Sequence, residues 1–139
     1  MATTVGTTGA LPQPPATASV LGQGIAYPPS LTANGRLALA SGADLVTQAI
    51  QSICLTAPGE RVMLPGYGAA ATVFEPYDAD RQSLLVRESI ADHEPRARNV
   101  EVNDDGSDNG RVLRTITFDV LGEATSRTLT FPLFHGASK

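Results

Sequence analysis

Between Asp92 and Arg98 the sequence changes its period. Upstream, Leu85, Val86, Ser89, Ile90 and His93 recur at helical spacing. Downstream, the pattern alternates every second residue, with Val100 and Val102 on one side. The switch falls on Glu94-Pro95-Arg96. Proline fixes its own φ and pushes the residue before it out of the α region. The helix must therefore stop, and Glu94 and Arg96 sit on a stiff corner between a helix and a strand. A stiff corner with opposite charges suits a structural pin, a recognition surface or an acid/base site.

The segments on either side set the fold class. Ser41-Gly42-Ala43-Asp44 has the form of a helix start. After it, Leu45, Val46, Ala49, Ile50, Ile53 and Cys54 fall on one arc at 100° per residue. Pro58-Gly59 ends that helix. Asp78 or Asp80 can cap a second helix reaching about Asp92, with Leu84 lying among its polar residues. Three strands follow. Val112, Ile116, Phe118 and Val120 share a face of the second, and Leu129, Phe131 and Leu133 share a face of the third. Before the first helix, Arg36 to Ala40 can form a short strand after the Asn34-Gly35 turn. The expected architecture is α+β: two amphipathic helices packed on a small, mainly antiparallel C-terminal sheet, as one domain over residues 20–139. Residues 1–19, with Pro12, Pro14 and Pro15, form an extended Pro-rich N-terminal arm. Alone, such a segment buries too little apolar surface to fold; it is a disordered tail unless a neighbouring chain holds it.

Composition narrows the function. The 139 residues carry a net charge of −4 and a single lysine, Lys139. Nucleic acid as the main partner is disfavoured, because phosphate binding needs clustered Lys and Arg. One cysteine excludes an intramolecular disulfide framework. No apolar run is long enough to span a membrane, and the N-terminus has neither the basic nor the apolar region of a secretory signal. Charged residues make up 17%, low for a free soluble domain against about 25% on average. A surface poor in charge suits a subunit of a larger assembly.

Sites for chemistry are few. Asp105-Gly106-Ser107-Asp108-Asn109-Gly110 begins like a calcium loop, but the position needing a bidentate Glu is Ile116; a solvated hairpin loop fits better. Two His and one Cys make no metal cluster, and no cofactor is expected. Glu60 and Glu94 could form a glycosidase pair. However, each has an arginine within two positions, which favours a permanent carboxylate, and there is no tryptophan to serve as a sugar platform. Cys54 reads as a small core residue rather than a nucleophile.

Several short stretches, in order, resemble one family. They are Ile50-Gln51-Ser52-Ile53, then Thr56-Ala57-Pro58-Gly59-Glu60-Arg61-Val62-Met63, then Pro65-Gly66-Tyr67-Gly68. Val73-Phe74-Glu75-Pro76, Glu94-Pro95-Arg96 and the apolar Thr130-Phe131-Pro132-Leu133 end follow. Together, over roughly residues 25–133, they are similar to the GPW-type baseplate wedge family of contractile phage tails, type VI secretion and phage-like injection particles.

The resemblance implies a structural role and no enzymatic activity. It implies a protein that bridges the wedge core to the first sheath ring and starts sheath assembly by strand exchange. The partners would be the sheath protein and other baseplate wedge proteins. The arm lies outside the resemblance, and its candidate partners are the hub or tube-initiating protein, sheath and wedge neighbours; several copies are expected around a sixfold baseplate assembled in the bacterial cytoplasm. No nucleic acid and no membrane are expected. Carried over residue by residue, the resemblance marks Glu94, Pro95 and Arg96 at the corner, with Glu60 and Arg61 as supports; Leu84, apolar among polar residues of its helix, and Thr128, Thr130 and Phe131 on the terminal strand complete the interaction set. Arg61 is expected to pair with Glu94. Some relatives carry a lysozyme-like label, so the alternative is a small peptidoglycan-cleaving enzyme.

Overall fold

A computed structural model describes residues 20–70, 78–106 and 111–134. The element order is β1 (Gln23–Ile25), β2 (Leu39–Ser41), α1 (Gly42–Leu55), α2 (Ala79–His93), β3 (Ala97–Gly106), β4 (Arg111–Val120) and β5 (Arg127–Phe134). The last three strands form an antiparallel sheet in chain order, β3-β4-β5. The expected α+β class is what the chain adopts. Residues 1–19, Val73 to Pro76, Ser107 to Gly110 and His135 lie outside the described residues.

The helices pack on one face of the sheet. Val46, Ile50 and Ile53 of α1, with Val86 and Ile90 of α2, share one core with Val102, Ile116, Phe118, Val120 and Phe131. Burying each such side chain contributes about 1.5–3 kcal/mol, so this shared layer fixes how the helices sit on the strands. Leu85, expected on the packed face of α2, stays exposed. The loop opposite it, Gly68 to Ala70, carries no side chain larger than a methyl, so no side chain of that stretch reaches across to cover it.

Both helix starts lie where the sequence puts them, but only one is capped by a side chain. Asp78 Oδ1 accepts from the N–H groups of Asp80 and Arg81 at the start of α2. Ser41 occupies the cap position of α1, yet its hydroxyl makes no cap bond. Ser41 is already committed as a residue of β2, paired with Gln23. The Asp44 carboxylate that would complete a capping box instead accepts from Arg127 Nη1 at 2.9 Å.

A second sheet, β1-β2, was not expected as such. Only the strand around Arg36 to Ala40 was foreseen, and it lies at Leu39–Ser41, paired with Gln23–Ile25. The expected turn is present, with the Gly35 N–H donating to Thr32 O. Ile25 lies opposite Leu39, and Leu31 bridges Leu37. Cross-strand partners share a face, as do residues two apart. Ile25, Leu31, Leu37 and Leu39 therefore line one side of a ribbon, and all four are exposed.

Candidate functional site

The corner closes as the sequence predicts. The Glu94 N–H donates to Ile90 O as the last turn of α2 ends, and the Ala97 N–H donates back to Glu94 O as β3 begins. Arg96 Nε and Nη2 donate to the two carboxylate oxygens of Glu94 at 2.5 and 2.6 Å, a bidentate pair. Arg96 Nη1 donates to the carbonyl of Leu21, and Arg96 O accepts from the Leu121 N–H. One arginine thus ties the segment before β1, the end of α2 and the end of β4 together. The Glu94 side chain is 3% exposed and that of Arg96 is 30% exposed. The hydrogen bond to Glu94 raises the Arg96 guanidinium above its already high pKa. Pro95 is exposed at the tip.

Glu60 and Arg61 lie in the loop that follows α1, and they do not join this pair. Glu60 Oε2 accepts from the Ala57 N–H and closes its own turn. Arg61 was expected to bind Glu94; this is corrected. Its Nη2 donates to Ser52 Oγ at 3.0 Å, and its guanidinium lies 3.9 Å from the centre of the Tyr67 ring. Both oxygens of Glu94 are taken by Arg96, and the Tyr67 face offers the second guanidinium a cation–π contact. Tyr67 also donates to Ser52 Oγ and meets the His93 ring edge-on at 5.1 Å. His93 Nδ1 lies 2.9 Å from Ser89 O, so this histidine is packed between the loop and α2.

Gly68 is the point where the loop crosses the end of α1. Its φ is +111°, and a Cβ there would sit 2.2 Å from Thr56 O, which no side chain tolerates. The close approach lets the Ala69 N–H donate to Ile53 O and the Ala70 N–H to Thr56 O. These bonds take up carbonyls that a helix end leaves free. Ser89 of α2 donates to Gly68 O from the other side. Ahead of this crossing the loop turns outward, and Val62 and Met63 stand almost fully exposed.

The terminal strand divides its predicted residues between two faces. Thr128 and Thr130 are exposed and lie against Thr117 and Thr115, with hydroxyl oxygens 3.5 and 3.3 Å apart. Phe131 lies in the core, so its side chain is not available at a surface. Leu84 is exposed on α2.

A second ion pair was not foreseen. Arg114 lies on the inward face of β4 between Val112 and Ile116, directly opposite Asp104 of β3. Its Nε and Nη2 donate to Asp104 Oδ1 and Oδ2 at 2.8 and 2.7 Å, with side chains 0% and 2% exposed. The signal was present: strict alternation from Val112 to Val120 puts position 114 on the core side. Cys54 is within electrostatic reach of this pair. Burial pushes its thiol up to about 12, with Arg114 opposing and Asp104 adding. That confirms Cys54 as a packed residue and removes it as a nucleophile. Arg127, also unforeseen, donates to both oxygens of Glu123 and to Asp44, joining β5 to its hairpin and to α1.

Among the described residues no three His, Cys, Asp or Glu side chains stand together as metal ligands. No described helix is long and apolar enough to cross a membrane. The candidate features are surfaces: a pinned corner, an outward loop, an apolar ribbon and the outer strand of a sheet.

Comparison with known proteins identifies the family. Residues 40–126 match the family described as baseplate wedge protein gp25. Nothing among the curated proteins matches the chain. Among solved structures, a chain of the six-fold symmetrised cryo-EM baseplate of the anti-feeding prophage is 28% identical, with a TM-score of 0.62. The match covers 78% of this chain and 92% of that one. A candidate tail lysozyme from Geobacter sulfurreducens is 26% identical, with a TM-score of 0.61, over 75% of this chain and all of that one.

Proposed function

The chain belongs to the baseplate wedge protein gp25 family, and from that premise we propose that it bridges the wedge core of a contractile particle to the first sheath ring and starts sheath assembly by strand exchange. Membership makes it a structural component of a baseplate, with other baseplate proteins as partners. The finer reading adds the sheath protein as the partner of β5. It adds the hub or tube-initiating protein as the partner of the arm at residues 1–19. It also adds several copies around a sixfold baseplate, assembled in the bacterial cytoplasm.

The observation that supports strand exchange is the outer edge of β5. The sheet ends there among the described residues, since β5 pairs with β4 alone. An open edge is a template for another strand, and strand addition supplies affinity through backbone bonds without any catalytic group. Pro132 sits within β5 opposite Leu113. A proline is accommodated in a strand where its missing N–H faces away from the neighbour. The ladder alternates every second residue, so the Thr128 and Thr130 N–H groups face the same open side. The close Thr115–Thr130 and Thr117–Thr128 side-chain pairs fit that register, because non-hydrogen-bonded pairs bring side chains nearest.

The corner supports a second contact. Glu94 is buried and pins the turn, so Pro95 and the part-exposed Arg96 are the groups it presents to a subunit. Glu60 and Arg61 on the loop after α1, and the exposed Leu84 on α2, are the further contact residues of this reading. A peptidoglycan-cleaving role needs a carboxyl free to donate its proton. Glu94 has both oxygens bound by Arg96, and Glu60 is tied into a turn.

The test is Thr130→Pro. It removes an outward ladder donor and leaves the β4 pairing in place. Electron microscopy of particles made with this variant is expected to show baseplates without sheath. Full-length sheathed particles would overturn strand exchange at β5.

A further inference from the structure

The groove between the loop at residues 58–70 and α2 has a shape and charge that the family reading does not use. It is a cavity of about 250 Å³. Its floor and walls come from Pro58, Ala69, Ala70 and Leu85, with Glu88 and Asp92 at the rim. The floor is rigid. Ala69 and Ala70 are held by backbone bonds to the end of α1, and Ser89 is tied to Gly68 O. Because Gly68 admits no side chain and Ala69 and Ala70 follow it, α2 faces a slot that no described side chain fills. Leu85 consequently stands exposed on one wall.

The rim carries an unfavourable charge arrangement. Glu88 and Asp92 are four residues apart on one helix face, where like charges repel. Asp92 is also in the last turn of α2, where the helix dipole disfavours an anion. Neither carboxylate has an ion pair among the described residues. Residues 71–77, which follow Ala70, contain no lysine or arginine that could supply one. The free chain therefore keeps two carboxylates that repel each other, with the dipole also opposing Asp92, above an apolar slot.

We propose that this groove receives a lysine or arginine side chain from a neighbouring baseplate chain. The aliphatic stem lies along Leu85 and the Ala69-Ala70 floor, and the cationic head sits between Glu88 and Asp92. A long basic side chain is the group that is apolar along its length and charged at its tip. A metal ion does not fit, because the floor offers methyl and methylene groups rather than oxygen ligands. The cation would relieve the Glu88–Asp92 repulsion and the dipole cost together, so binding is favoured by what destabilises the free helix. The family reading enters only in naming the neighbour as a baseplate chain.

Two variants in the full chain, co-expressed with the particle's own baseplate proteins, test this. Glu88→Gln with Asp92→Asn removes the charge. Ala70→Met keeps the charge and fills the slot. The first is expected to melt at the same temperature as the parent or higher, and each to fall about tenfold in incorporation into purified baseplates, the scale of one lost charge contact. A photo-cross-linker at Leu85 in the assembled particle is expected to capture a peptide carrying Lys or Arg beside the attachment point. Normal incorporation of both variants, or capture of a peptide with no basic residue there, overturns the proposal. Failure here is separable from failure of strand exchange. Thr130→Pro leaves the chain in the baseplate and removes sheath, whereas the groove variants remove the chain itself.

Discussion

Two arginine–carboxylate pairs hold this molecule with the same two parallel bonds, in opposite surroundings. Arg96 and Glu94 are two residues apart on a corner, with the arginine reaching water. Arg114 and Asp104 face each other across β3 and β4 inside the core, with almost no exposure. The corner pair closes a local turn and needs no distant contact to find its partner. The sheet pair exists only when two strands align in register, and both charges must leave water to form it. The same chemistry is therefore a surface pin in one place and a register lock in the other. Both carboxylates are buried, so desolvation of the arginine rather than the bonds themselves separates the two pairs.

The largest effect expected from this difference is on Arg114. Arg114→Ala leaves the Asp104 carboxylate buried without its arginine, and should cost about 3–5 kcal/mol in denaturant unfolding. A loss under about 1 kcal/mol would mean that water enters the sheet and the two pairs do not differ. Replacing both partners, Arg114→Met with Asp104→Leu, removes the desolvation penalty as well as the bonds, and should bring stability back to the parent value or above it.

Arg96→Ala should cost less, about 1–2 kcal/mol, because Arg96 is the part-exposed group covering Glu94 and its removal lets water reach the carboxylate. Its main effect is expected in assembly: a folded chain that no longer yields complete particles by electron microscopy. Normal particles would reduce the corner to a purely internal pin.

Cys54, beside the sheet pair, reports on the same burial. Its thiol is raised from 9.0 to about 12, so folding favours the neutral form. The corresponding stability is fully present below about pH 9 and is lost as the pH rises towards 12. A thiol reagent at pH 8 should leave the native chain unmodified and label it only after unfolding. Prompt labelling would show the core open.

The smallest effect belongs to a carboxylate left fully in water. Asp119 is lowered from 3.8 by hydrogen bonds from Ser126 and then Asn99. The stability it contributes is present above 3.8 and is lost as the pH falls through its lowered folded value. Ser126→Ala should change only the acid end of the unfolding profile, and a change at neutral pH would contradict that assignment.

The corner pair was legible in the sequence and the sheet pair was not, for a physical reason. Pro95 fixes the local geometry, so Glu94 and Arg96 could be placed without knowing anything distant. Arg114 could be assigned to the inward face by alternation, but its partner depends on the β3–β4 register. That register shifts between Arg98 and Glu101, with Asn99 in the left-handed region at φ +50°. The helices and C-terminal strands were legible because each spans enough residues to show its period. β1 and β2, at three residues each, show none. Arg61 was assigned to the wrong partner because spacing cannot tell a carboxylate from an aromatic face, and Tyr67 returns to it only once Gly68 brings the loop over α1. The groove on α2 was invisible for the same reason: it depends on which small residues a loop lays opposite a helix.

Backbone hydrogen exchange at Thr128 and Thr130 tests the role of the β5 edge most directly. In the free chain their amides face open solvent and should exchange rapidly. In complex with the sheath protein they should become strongly protected, while the amides of β4 stay as they were. Equal exchange of Thr128 and Thr130 with and without sheath would contradict strand exchange at this edge.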